Sequence, residues 1–463
     1  MLLIFPFIII LYLINRSLIN SSLINLAGFA LIAYWITYPI EKLNVGGIYT
    51  TIEGIKDVGI SFYAIFAFSF IAGLFLTSKL NLPKIKLYSN FRIINHLFFI
   101  SIFLGIFGFI CFAHTYNYSL LDYFNIFFDN RVERLALLSS SNNALPYSIS
   151  FIPSITILIV IIKNLKFNIN LVQKIAILFI FMINSPILIS YFLEGDRTSI
   201  IKFFMIVIFT SSLKESSIEE INNKEYLIQD FRINKSILKK RLFLFLNLTI
   251  SFLILVIIGL GRGNGWKNIS RLTSNFQSQM ENKLLPTSEF RSVNFTIDYS
   301  IAREHLTNDR LKKMFTWDRG IFYPLPTYVY KTLFKENKPP NVGDGIGIEV
   351  KNYIFGDNHT RKIGFGLSPI AEGYINSGLF GIIFIGFIYG ACVRIIQESY
   401  NKISIKNFSL FDLIIINSAS MIPLMMRAGA MGIYNWIFSI TFISFLPILI
   451  IEFLKNLKLV ENK

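Results

Sequence analysis

Five short segments carry residue types that could grip an anion or move a proton. In Leu193-Glu194-Gly195-Asp196-Arg197-Thr198-Ser199, two carboxylates and one guanidinium sit between two apolar runs. A guanidinium suits phosphate because its planar fork gives parallel hydrogen bonds to two oxygens. The segment reads either as a solvated turn or as an inward-facing site in which Arg197 holds a diphosphate. Two carboxylates without further ligands make a poor divalent-cation site, and no metal is expected. In Gly261-Arg262-Gly263-Asn264-Gly265-Trp266, three glycines would let backbone N–H groups approach an anion beside Arg262. A flexible helix exit fits the same residues, and the Lys-Ser/Thr of a P-loop is absent.

The third segment is a series of arginines, Arg271, Arg291, Arg303, Arg310 and Arg319, in a long polar stretch. Arg291 and Arg319 stand beside Phe290, Trp317, Phe322 and Tyr323. Those rings can stack on sugar faces while the arginine takes a phosphate or carboxylate. The fourth runs from His359 to Gly378 and holds Lys362 and Glu372. A carboxylate entering a membrane helix is costly unless it meets a partner or a wet cavity. Glu372 therefore either caps a helix and pairs with Arg361 or Lys362, or serves as a base or orienting group for an acceptor hydroxyl. His359 is the histidine nearest the glycines and a candidate proton shuttle. The fifth is Arg427, in Met425-Met426-Arg427-Ala428-Gly429-Ala430-Met431-Gly432, which either snorkels to lipid headgroups or meets an anion.

The elements that must position these residues are set by composition. Of 463 residues 53% are hydrophobic and only 16% charged, against about 25% charged in soluble domains. The apolar residues fall in runs long enough to cross a hydrocarbon core of about 30 Å. The chain reads as an all-α polytopic membrane protein with about 11 spans (10 to 12), at roughly 2–14, 23–40, 58–77, 93–113, 147–162, 175–193, 199–213, 242–260, 377–396, 409–425 and 433–452. Met1 to Ile14 lacks a basic start and a small-residue cleavage site, so the first run is expected to remain as a helix. Cys111 and Cys392 lie in apolar runs and suggest neither a disulfide nor a metal or nucleophilic site.

The formal charge of +16 would suggest nucleic acid on a soluble chain, but here it divides by loop. Lys79, Lys84, Lys86 and Arg92, then Lys163, Lys166 and Lys174, then a 214–241 loop with seven basic and five acidic residues, all fall on one side. Arg394, Lys402, Lys406 and the C-terminal lysines join them, so that side is expected to be cytoplasmic, with the C-terminus there. Three parts follow: a first bundle over 1–260, a large outer loop over 261–376, and a second bundle with tail over 377–463. The outer loop holds 16 Lys and Arg against 11 Asp and Glu. A structureless connection of that length is improbable, so short helices over the bundle mouth are expected.

Phe365-Gly366-Leu367-Ser368-Pro369-Ile370-Ala371-Glu372-Gly373-Tyr374-Ile375-Asn376-Ser377-Gly378-Leu379-Phe380-Gly381 resembles the signature of the Wzy-type oligosaccharide repeat-unit polymerases. The resemblance extends in layout to most of the chain and is specific mainly over 340–390. It implies a GT-C-like glycosyltransferase at the periplasmic face of the bacterial inner membrane, working in O-antigen or capsule synthesis. The donor would be a glycan on undecaprenyl diphosphate, the acceptor a second lipid-linked unit, with a chain-length regulator as a partner and no cofactor. Under that resemblance Arg197, Arg262 and Arg427 would hold diphosphate, and Arg291 and Arg319 glycan or diphosphate. His359 and Lys362 would line the substrate site, and Glu372 would act as base or orienting group. The nearest rival is an O-antigen ligase that passes the glycan to a lipid A core. A transporter or flippase is more distant, because internal symmetry and mid-membrane charges are not evident.

Overall fold

A helix that is apolar all round needs either a protein core or lipid around it, and most of the helices here are of that kind. The computed structural model describes residues 22–40, 55–77, 94–116, 147–165, 170–194, 197–213, 293–302, 317, 321–322, 324–325, 327–335, 337, 367–405 and 408–461. In chain order the helices are α1 (Ser22–Ile40), α2 (Ile55–Thr77), α3 (Ile94–Tyr116), α4 (Tyr147–Leu165), α5 (Leu171–Glu194) and α6 (Arg197–Ser212). They continue with α7 (Thr327–Phe334), α8 (Pro369–Asn401), α9 (Leu410–Met421) and α10 (Ala430–Glu461). A further stretch, 293–302, is helical. Every regular element among the described residues is a helix, and Leu367 and Ala428 make an isolated parallel β-bridge.

Nine of the eleven expected spans fall on described residues, and a helix stands at each of them. Among the described residues, five helices are long and apolar enough to cross a membrane: those over Asp57–Thr77, Leu97–His114, Leu171–Tyr191, Pro369–Asn401 and Ala430–Pro447. The apolar parts of α1, α4, α6 and α9 are shorter. The chain is thus a helical membrane protein, with Leu171, Val172, Leu178 and Met182 of α5 among its exposed apolar residues. The spans expected at 2–14 and 242–260, and the 214–241 loop, lie outside the described residues.

The chain divides into two compact units. The first contains α1, α2, the stretch 293–302, α7, α8 and the start of α10 as far as Ser439. Its central contact is α2 against α8, where the expected small-residue pair Gly386 and Gly390 meets the backbone at Phe66 and Phe70. Gly73 of α2 does the same against Phe387 and Ala391. With no side chain between them the two backbones approach closely, which is how membrane helices gain packing without a hydrophobic driving force. Leu23 N–H at the head of α1 donates to Gln397 Oε1 near the end of α8, at 2.7 Å.

The second unit contains α3 to α6, α9 and the remainder of α10. Ser101 and Ser154 exchange hydroxyl-to-carbonyl hydrogen bonds of 2.9 Å across α3 and α4, and Asn184 of α5 donates to Ser154 Oγ at 3.1 Å. At the end of α4, Lys163 Nζ donates to the carbonyls of Ser211 and Leu213, both at 2.6 Å. A cation there satisfies carbonyls that α6 cannot pair and complements its dipole. Lys163→Met should lower stability by about 1 kcal/mol, read as a small drop in the unfolding midpoint of the detergent-extracted protein. An unchanged midpoint would remove this cap from the account.

Candidate functional site

The segment 367–378 gains its shape from a few residue choices. Ser368 precedes Pro369, and proline is favoured in the first turn of a helix, where its missing N–H would have been unpaired. Ser368 Oγ accepts from Ile370 N–H at 3.2 Å, capping the start of α8. The helix then breaks at Ser377 (φ −149°, ψ 20°) and Gly378 (φ 62°, ψ −142°). Only glycine tolerates that backbone at Gly378. The break is sharp, because the backbones of Gly373 and Gly381 come into contact although eight positions apart. The apolar run alone places the start of the ninth span at 377. The helix starts instead at Pro369 and turns at 377–378, so Glu372 lies within a half-helix that folds back on the rest of α8.

Four contacts hold that half-helix. Ser368 N–H donates to Thr296 Oγ1 at 3.2 Å, Leu367 bridges Ala428, Asn376 Nδ2 donates to the Glu372 carbonyl at 2.8 Å, and Trp317 N–H donates to Asn376 Oδ1 at 3.2 Å. The Trp317 ring also lies against Phe384, centroids 5.7 Å apart.

Glu372 is 3% exposed. Its Oε2 accepts from Ala430 N–H at 2.5 Å and its Oε1 from Met431 N–H at 3.1 Å. These are the first N–H groups of α10, which have no partner inside their own helix and carry the positive end of its dipole. Glu372 is therefore a cap, as one of its two readings held, but of the last helix rather than its own. Gly429, at φ 66°, turns the chain into α10, and a side-chain carbon there would lie 2.6 Å from Glu372 Oε2.

Arg427 stands just upstream, half-buried, in the turn that follows Ile422–Leu424. Its N–H donates to the Leu424 carbonyl at 2.9 Å. The fold thus brings two of the residues singled out in the sequence, Glu372 and Arg427, onto one short stretch of structure. Arg197 heads α6 in the second unit, and its side chain is outside the description. Arg262, Arg291, Arg319, His359 and Lys362 lie outside the described residues.

A polar network that the sequence reading did not single out lies in the first unit. Every residue of 293–302 is buried, including Asn294, Thr296, Asp298 and Ser300. Tyr38 of α1 donates to Asp298, Tyr63 of α2 donates to Asn294 Oδ1 at 2.5 Å, and Asn294 Nδ2 reaches Thr37 Oγ1 at 3.4 Å. The available signal was spacing: Asn294 and Asp298 are four apart and so share one helix face. Compared with known proteins, the chain matches no family model, and no curated protein or solved structure is significantly similar to it.

Proposed function

We propose that this chain is a polysaccharide polymerase, a glycosyltransferase that joins oligosaccharide repeat units carried on undecaprenyl diphosphate at the periplasmic face of the bacterial inner membrane. An acceptor sugar hydroxyl attacks the anomeric carbon of the donor glycan. The new glycosidic bond forms as the bond to the lipid diphosphate breaks, and the acceptor proton is lost to solvent or to a nearby base. The observation that carries the reading is the tie from Glu372, inside the polymerase-like segment 365–381, to the α10 terminus that the Arg427 turn leads into. A leaving diphosphate gains negative charge, and a fixed arginine next to oriented N–H groups stabilises that charge without reorganising. Glu372 has both oxygens engaged by backbone donors, which suits a positioning residue that holds the Arg427 turn better than it suits a base. The other arginines keep the roles that their sequence context suggests.

The test is the glycan ladder of cells lacking the gene, complemented with wild type or with Arg427→Ala at matched membrane levels. The expected result is a ladder that collapses to one attached repeat unit, restored by wild type and reduced about tenfold or more in long chains by the variant. Loss of all attached glycan would favour the ligase reading instead, because a ligase acts on every chain. An unchanged ladder would remove the polymerase reading altogether.

A further inference from the structure

The short helix α7 has three different sides. It packs through Tyr330, which is buried, and Phe334, four positions on, with ring centroids 4.7 Å apart. Phe334 also meets Phe322, centroids 5.5 Å apart, so the turn at 321–322 and the helix form one piece. A second side holds Tyr328, Val329 and Leu333, positions one and four apart that share a helix face. That side is turned outward: Tyr328 is 81% and Leu333 57% exposed, and Ile321 and Phe322 add further exposed apolar surface to the piece. Lys331 stands on the third side, and one turn later Lys335 ends the helix at φ 55°. Glycine usually fills that left-handed position. Both lysines are exposed, and neither forms an ion pair among the described residues.

On a soluble domain such a surface would call for a protein partner. The place of this one in the first unit indicates lipid. Tyr434 Oη donates to the Ile321 carbonyl at 3.2 Å. Tyr434 is four residues past Ala430, where the membrane-crossing part of α10 begins, and at 1.5 Å per residue that is about 6 Å from the end of the span. Trp317, one helical turn before Ile321, rests its ring on Phe384 of α8, six residues past the break at Gly378. Phe384 is itself an exposed apolar residue of a membrane-crossing helix. The bonds of Glu372 to Ala430 and Met431 join the starts of α8 and α10, so both anchor points lie at one end of the unit. A segment fixed at that level sits where acyl chains give way to headgroups. There an apolar side is favoured in the lipid, a tyrosine at the polar border, and lysines beside phosphate.

We propose that α7 and the turn at 321–322 form an interfacial anchor whose partner is the lipid bilayer itself. Tyr328, Val329 and Leu333 enter the boundary between headgroups and acyl chains, and Lys331 and Lys335 bind the phosphates of anionic phospholipid. The anchor does not depend on the polymerase reading and is tested without it.

The test uses the full chain in nanodiscs, one chain per disc, with the exposed Cys392 replaced by serine and the buried Cys111 kept. Single nitroxide labels at Tyr328→Cys, Leu333→Cys and Lys331→Cys are read by power saturation with oxygen, which concentrates in lipid, and with a nickel chelate, which stays in water. Labels at 328 and 333 should respond mainly to oxygen and report a depth of about 5–10 Å into the headgroup and acyl boundary. The label at 331 should respond mainly to the chelate. Replacing phosphatidylglycerol by phosphatidylcholine should make 328 and 333 shallower, and Lys331→Gln with Lys335→Gln should remove that dependence. Labels at 328 and 333 that respond mainly to the chelate would put this side in water and overturn the anchor. Labels shielded from both relaxants would overturn it in favour of a protein surface lying over α7. A depth indifferent to lipid charge would overturn the role of the lysines. If a labelled variant fails to fold, the unaltered chain decides. A phospholipid with a diazirine in its acyl chain should then leave adducts on 328–333 after illumination, as on the exposed face of α5 around Leu178 and Met182. Adducts on α5 alone would overturn the proposal.

Discussion

Gly390→Leu is expected to leave no monodisperse protein after detergent extraction, whereas Gly105→Ala is expected to fold with only a modest loss of stability. A side-chain carbon at Gly390 would overlap the carbonyl of Phe70 and come within 3.0 Å of Leu74 N. These are backbone atoms of a membrane-crossing helix, and no rotamer change can move them. Overpacking typically costs about 1–3 kcal/mol where neighbours can shift. Here α2 and α8 would have to separate along their whole contact, through Gly73 and Gly386 as well, so the cost should exceed that range. At Gly105 the added carbon would meet Asn184 Nδ2 at 3.1 Å and Ser154 Oγ at 3.3 Å, buried hydrogen-bonded side chains that need give only a few tenths of an ångström, so the cost stays well below that of overlapping backbone. Size-exclusion profiles and unfolding midpoints of the two variants check the contrast. A Gly390→Leu protein with the profile and midpoint of wild type would mean that the two helices are not packed on bare backbone.

Asp298→Ala should be the second most damaging change, costing about 2–4 kcal/mol. It removes the acceptor for the Tyr38 hydroxyl, in a stretch where the flanking residues Ile297 and Tyr299 are 0% and 2% exposed. Losing one partner from a buried pair costs more than the pair itself contributes, because the remaining group has been desolvated without compensation. Tyr38→Phe alone should cost less, since it removes the donor and most of the volume stays filled. The double variant should be less damaging than the two single losses added together. Hydrogen-bonded pairs in membrane bundles average about 0.6 kcal/mol of coupling and reach about 1.7, and full burial places this pair toward the upper value. Midpoints measured on the four proteins of the cycle decide it. Strict additivity would mean that Tyr38 and Asp298 act independently.

Apolar runs near 58–77, 93–113 and 175–193 marked α2, α3 and α5 to within a few residues, because lipid allows a backbone no alternative to the helix, whereas α10 runs on to Glu461, nine residues past the expected end. The pair Gly386 and Gly390 marked a packing face for a similarly local reason: small residues four apart expose bare backbone along one side. Glu372 and Arg427 stood out as charges at the edges of apolar segments, where a charge needs an explanation.

Which partner each would meet was not a local matter. The N-terminus of α10 lies nearly sixty residues beyond Glu372, and the two come together only because Gly378 turns the half-helix back and Gly429 turns the chain into α10. The stretch 293–302 was legible as part of a polar loop and no more, since four of its ten residues are polar and its flanks are rich in charge. Its burial depends on hydroxyls from Tyr38 and Tyr63, more than two hundred residues away in the chain. Composition and periodicity thus determined that this is a bundle of membrane helices and which residues carry its charge, because those follow from each segment meeting lipid or water. The tertiary structure alone decided which charges and hydroxyls meet, because a hydrogen bond depends on atoms a few ångströms apart and not on their separation along the chain.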